Sequence, residues 1–131
     1  MSPVSPPLFS EEAEQALLGA CLIDPAGTAH LRVQIPEAQF YFTRHQRIWR
    51  AMHTCDQRYQ ALDFRLLVDE LARAGDLELV GGVAYLAQLL TVTATAMHAA
   101  EYAAIVRQYT AQRAGVQLAG EIARLCYAAE S

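Results

Sequence analysis

Cysteines, histidines and paired carboxylates are the side chains here that could act as nucleophiles, metal ligands or acid–base pairs. Cys21, Cys55 and Cys126 stand far apart, with no C-x-x-C pair. Odd in number and unclustered, they read as reduced, mostly buried thiols. The histidines are His30, His45, His53 and His98. His45 and His53, with Cys55 nearby, are the grouping that most suggests a metal cluster. On a helix their eight-residue spacing separates the rings by about 12 Å, against metal–nitrogen bonds of about 2 Å. They cannot share an ion. Each histidine is expected to lie at the surface or to be satisfied by hydrogen bonds, and His45 is placed to fix a helix start through a backbone partner. Cys–His catalysis needs a thiolate, a base and an orienting group together, and the order of residues assembles no such set. Glu11/Glu12 and Asp69/Glu70 are adjacent carboxylates, but helix neighbours point about 100° apart. They read as solvated faces, not as dyads.

Phosphate chemistry is excluded more firmly. No G-x-x-x-x-G-K-[ST] occurs, and all ten basic residues are Arg, so there is no lysine for a Walker A loop. Gly81-Gly82 reads as a helix break. The chain is therefore expected to be non-enzymatic, with no catalytic, cofactor-binding or metal-ligating residues. Its 131 residues, 53% of them hydrophobic, suit one domain with a single core that needs no disulfide or metal staple. A net charge of −4 argues against tight backbone-driven nucleic-acid binding. The opening Met-Ser-Pro-Val-Ser-Pro-Pro has neither the basic nor the apolar region of a signal peptide. No apolar run approaches the roughly 18 residues of a membrane span. A cytoplasmic setting without membrane contact is expected.

Any interaction surface must therefore be positioned by helices. Pro3, Pro6 and Pro7 forbid a helix at the start, so residues 1–9 are expected to form a Pro-rich flexible arm. Ser10 stands at an N-cap position before Glu11, Glu12 and Glu14, acids suited to the positive end of a helix dipole. Ala13, Ala16, Leu17, Ala20 and Cys21 recur at helical spacing and predict a helix over 11–23, stopped by Asp24-Pro25-Ala26-Gly27. A short helix follows near 27–33, ended by Pro36. Ile48, Trp49, Met52 and Cys55 give the rhythm of a helix from Thr43 to about Asp56. Asp63 caps a helix reaching Ala74, with Gly75 as its stop. Gly81-Gly82 precedes another short helix, Val83 to Leu90. No alternation of period two persists. The fold class is all-α, a compact globule of about five to six helices over 10–97 followed by a long helix over 98–131.

That last segment carries the plainest pattern. From His98 to about Tyr127 there is no Pro, and Tyr102, Ile105, Tyr109, Gln112, Val116, Ala119, Ala123 and Cys126 form a heptad-like seam. Leu118, Ile122 and Leu125 make a second stripe on a different face. Gly115 and Gly120 each cost about 1 kcal/mol relative to Ala, so a bend or a close helix contact is expected there. A long helix apolar on two sides is expected to leave the domain body and meet partners. The plainer alternative is a terminal helix lying wholly across its own core. Tyr109, Val116, Ile122 and Leu125 are the candidate interface residues. The stretch Asp63–Leu90 also has a helix–turn–helix rhythm. A recognition helix offers Arg, Lys, Asn or Gln to DNA, whereas Val83–Leu90 offers one Gln and reads as built to be buried.

Five phrases, taken in order, resemble the N-terminal domain family of DnaB-type replicative helicases over nearly the whole chain. Pro6-Pro7 leads into Ser10-Glu11-Glu12-Ala13-Glu14-Gln15-Ala16-Leu17-Leu18-Gly19. Phe40-Tyr41 precedes His45-Gln46-Arg47-Ile48-Trp49 and Ala51-Met52. Leu62-Asp63, Leu67, Glu70-Leu71 and Gly75-Asp76-Leu77 follow, then Val80-Gly81-Gly82-Val83-Ala84-Tyr85-Leu86-Ala87-Gln88-Leu89, then Tyr102-Ala103-Ala104-Ile105-Val106-Arg107. Each phrase is weak alone, and five at the family's spacings are specific. Ala61 departs from the family, which usually has Pro before the Leu-Asp pair, and Phe64 follows that pair; the departures touch a loop and a cap.

The resemblance implies a helical globule plus a helical hairpin, assembled with copies of itself as a trimer of dimers that forms a collar on a hexameric ring. It implies that single-stranded DNA passes through the full ring. The C-terminal domain of primase is the expected docking partner, with a helicase loader as a further one. ATP and Mg would be bound by a separate motor, which together with the linker and the second hairpin helix is expected beyond Ser131. One alternative is a stand-alone helicase-interacting domain, either the helicase-binding domain of a primase or a phage- or plasmid-encoded decoy. A helix-turn-helix regulator is the other.

Overall fold

The computed structural model describes residues 6–129. Residues 1–5 of the expected arm, with Pro3, and residues 130–131 of the expected long helix lie outside the described residues. The helices are α1 (Glu11–Ile23), α2 (Ala29–Gln34), α3 (Thr43–Tyr59), α4 (Phe64–Arg73), α5 (Gly82–Val92) and α6 (Ala99–Ala128), with a 3-10 turn at Glu37–Gln39. Among the described residues there is no strand. The all-α expectation holds.

Local chemistry sets most of these boundaries. The Ser10 hydroxyl accepts from the Ala13 N–H and the Asp63 carboxylate from the Leu66 N–H, each satisfying an orphan donor at a helix start. Gly75 adopts φ 77° past the end of α4. Its N–H donates to the Ala72 carbonyl and that of Asp76 to the Leu71 carbonyl, which together make a Schellman stop. Two elements differ from expectation. α2 starts later, because Asp24 holds the preceding turn by accepting from the Gly27 and Thr28 N–H groups. α3 runs a turn further, to Gln60 in the left-handed region at φ 53°.

The core gathers around α3, whose Ile48, Trp49, Met52 and Cys55 are buried against Leu17, Leu18 and Cys21 of α1. The Trp49 indole N–H donates to the Ile35 carbonyl at 2.7 Å, so its one polar atom is paired. α1 is also covered by α5 and by the first half of α6. Gly19 makes the α1–α5 approach possible: a Cβ there would come within 2.5 Å of the Leu89 carbonyl oxygen and closer still to the Thr93 hydroxyl.

Two expectations about exposure fail. Glu70 is buried on the α3 side of α4 and lies 3.4 Å from Arg58 and 3.7 Å from Arg73, so Asp69/Glu70 is not a solvated face. Its neighbours Leu67 and Leu71 carry it inward, and its chain extends until the carboxylate reaches arginines at the rim. Helix α5 buries only Leu86 and Leu89. Val83, Ala84, Ala87 and Gln88 are exposed, because α5 rests on α1 along a single face.

Candidate protein-interaction surface

A buried polar chain fixes the globule from which any surface projects. Glu14, only 2% exposed, accepts from the Tyr41 N–H at 2.7 Å and the Phe42 N–H at 3.4 Å. Its other contact is His45 Nδ1, at 2.7 Å. His45 Nε2 lies 2.6 Å from the Tyr85 hydroxyl, which accepts from the Gln15 side chain at 3.2 Å. The tautomer that donates from Nδ1 to Glu14 leaves Nε2 to accept from the Tyr85 hydroxyl. A buried carboxylate needs such a set of donors. His45 does fix a helix start, but through side chains and not through the expected backbone partner. Glu14 was legible only as a first-turn acid. Its position in the buried series Glu14, Leu17, Leu18, Cys21 was the available signal. The chain ties α1, α3 and α5 together, and its members are occupied with one another.

Helix α6 is different. At about 100° per residue, Ala99, Ala103, Val106, Thr110 and Arg113 share one face. The first three are buried, and Thr110 and Arg113 are half-buried. Beyond Arg113 the same face continues as Gln117, Glu121 and Arg124, the last two ion-paired with each other. The docking face thus turns from apolar to polar where the helix leaves the globule, and every described residue from 114 to 129 is exposed. Apolar residues flank this polar line on both sides. Tyr102, Ile105, Tyr109, Val116, Ala123 and Tyr127 run along one flank, and Leu118, Ile122 and Leu125 along the other.

The four candidate interface residues therefore fall on two opposite flanks, Tyr109 and Val116 on one, Ile122 and Leu125 on the other. Tyr109 is half-buried, whereas Val116 is 60%, Ile122 54% and Leu125 54% exposed. The plain alternative, a helix lying wholly across its own core, is corrected: only the first half does so. α6 is uninterrupted across Gly115 and Gly120, and a Cβ on either would meet nothing within 4 Å. They make no close contact among the described residues. Cys126 is exposed on the distal half, while Cys21 and Cys55 are buried. Burial pushes the Cys55 thiol up to about 11 and raises Cys21 as well.

At its base the Tyr102–Ile105 flank opens onto a groove of about 530 Å³, lined by Ser10, Glu12, Ala13, Gln15 and Ala16 of the α1 region and by Val92. Neither this groove nor the α6 flanks gather nucleophile, base and orienting group. Apolar stripes on a projecting helix can bury area against another chain, and that is the chemistry this arrangement supports.

A family model described as the DnaB-like helicase N terminal domain matches residues 6–108. The chain belongs to that family. Among relatives of this DnaB-like N-terminal domain, the replicative DNA helicase DnaB of Geobacillus stearothermophilus is 38% identical over 131 residues, covering 94% of this chain and 29% of that protein. The replicative DNA helicase DnaC of Bacillus subtilis is 37% identical over 120 residues, covering 91% and 26%. The chain spans under a third of the length of these curated relatives. The crystal structure of the N-terminal domain of DnaB helicase from Mycobacterium tuberculosis matches with TM-score 0.87 at 29% identity, over 94% of this chain and 85% of that one. A structure described as a DnaB-like replicative helicase and its interactions with primase matches with TM-score 0.76 at 27% identity, over 91% and 28%. No helix among the described residues is long and apolar enough to cross a membrane.

Proposed function

We propose that this chain is the non-catalytic N-terminal domain of a cytoplasmic replicative DNA helicase, where it builds the collar of the ring and offers a docking surface to primase. The observation that carries the reading is the distal half of α6, wholly exposed and apolar on two flanks. One flank has room for a return helix of the same subunit and the other for a neighbouring copy. The globule over 10–97 acts as the rigid mount, and 98–131 as the contact arm. In the whole protein, ATP and Mg belong to the motor, a helicase loader is a further partner, and single-stranded DNA is contacted in the assembled ring. The similar structure described as a DnaB-like replicative helicase and its interactions with primase supports a primase partner, and the C-terminal domain of primase is the part proposed to dock. A helix-turn-helix reading loses support, because the exposed face of α5 (Val83, Ala84, Ala87, Gln88) carries no basic residue.

Sedimentation of the chain beside a Val116→Asp/Ile122→Asp variant tests the assembly role. Concentration-dependent association that the double variant abolishes is expected, and identical masses at all concentrations refute it. A pull-down against the primase C-terminal domain tests docking separately.

A further inference from the structure

The distal half of α6 is held only through its docked half, since every described residue beyond 113 is exposed. The first docked residues, Ala99, Ala103 and Val106, are small and apolar. Together with Tyr102 they pack along α1 and set the mean axis of the helix. The last docked turn is another matter. The Thr110 hydroxyl donates to the Gln39 carbonyl at 2.7 Å. Arg113 donates through Nη1 to the Leu8 carbonyl at 2.7 Å and through Nη2 to the Gln39 carbonyl at 3.2 Å. Its guanidinium also lies over the Tyr41 ring, 5.3 Å from the centroid. A planar fork that bridges the Leu8 and Gln39 carbonyls and lies over the Tyr41 ring adds a directional restraint where the helix leaves the globule.

One of those segments is the N-terminal strap. Phe9 stacks on Tyr41 at 4.3 Å and meets Phe42 edge-on at 5.3 Å. The strap therefore supports the ring on which Arg113 rests as well as supplying a carbonyl. Pro6 and Pro7 precede it and restrict its backbone.

We infer that Leu8–Phe9, Thr110 and Arg113 form a latch that narrows the range of directions in which distal α6 leaves the globule, and that opening the latch lets that half swing more widely. The latch is a property of the single chain and goes beyond the assembly role. Its test is intramolecular, so its failure and that of assembly are read in different experiments.

The exposed Cys126 provides one spin-label position and Asp69→Cys, on an exposed site of α4, a second. Labelled protein is diluted in unlabelled protein, and the distance distribution is measured by pulsed electron paramagnetic resonance. The parent and an Arg124→Ala control, which loses only a distal ion pair, are expected to give the same narrow distribution. Arg113→Ala and Phe9→Ala are each expected to broaden it at least twofold with the helical circular dichroism unchanged. Arg113→Lys, which reaches one carbonyl without spanning two, should fall between. A parent-like width in either Arg113→Ala or Phe9→Ala overturns the latch. If either variant loses helical signal, Thr110→Val decides: it keeps the side-chain shape and removes the bonds to Gln39 and from Arg113. A broadened distribution there supports the latch, and a parent-like one overturns it.

Discussion

The two halves of α6 belong to one unbroken helix, yet they live in different environments. From Ala99 to Arg113 the helix is docked, with small residues toward α1 and a polar grip at the end. From 114 onward it is solvated on every side, although Val116, Leu118, Ile122, Leu125 and Tyr127 are among the larger apolar residues exposed anywhere in the chain. A docked half whose buried face is mostly small and a free half that exposes much apolar bulk is the reverse of what a self-contained domain requires. Stability resides in the globule, and the free half is built for contact.

That contrast can be broken at several points, with effects of descending size. Glu14→Ala should be the most damaging, since it strips the acceptor from two backbone donors and from His45 in a buried site. A loss of about 3–5 kcal/mol is expected from the buried donors left without an acceptor, measured by urea denaturation, and a loss below about 1 kcal/mol would mean that water replaces the carboxylate. Asp63→Ala, which uncaps α4, should cost about 1 kcal/mol in the same measurement. Ile122→Ala in the free half should leave the stability of the dilute monomer within about 0.5 kcal/mol while weakening association. A large monomer loss would place Ile122 in an intrachain contact.

Base should act on the globule alone. The Cys55 thiol is raised from 9.0 to about 11 in the folded chain. A group raised on folding stabilises the fold below its unfolded value and loses that contribution as pH climbs through its folded value. Stability should therefore decline between pH 9 and about 11, and Cys55→Ser or Cys55→Ala should flatten that part of the profile. The smallest effect is chemical: under native conditions a thiol reagent should modify Cys126 rapidly and leave Cys21 and Cys55 protected, as mass spectrometry would show.

The parts legible in the sequence were those decided locally. Ser10 and Asp63 cap the helices that follow them, Gly75 stops α4, and the length of α6 follows from a Pro-free run. Burial was legible where large apolar residues carry it, as in Ile48, Trp49 and Met52. It was not legible for Glu14, whose partners are distant in sequence, or for Glu70, an acid turned inward beside Leu67 and Leu71. The α6 seam read from Tyr102 to Cys126 is real as an apolar flank, but the face that docks is the neighbouring one. Its members are two alanines, a valine, a threonine and an arginine, and a count of bulky side chains passes over them. For the same reason Arg113 was not singled out.

The switch of the α6 docking face from apolar to polar at Arg113 makes the helix a phase-sensitive axle. Inserting one residue between 113 and 116 would rotate the distal flanks by about 100° relative to the globule and misdirect both contact stripes, with no loss of composition or helicity. Inserting seven would restore the phase to within about 20° and push the stripes about 10 Å outward. Length changes at this point of the chain should therefore be tolerated in steps of whole heptads, and association measured across such an insertion series would recover the helical period.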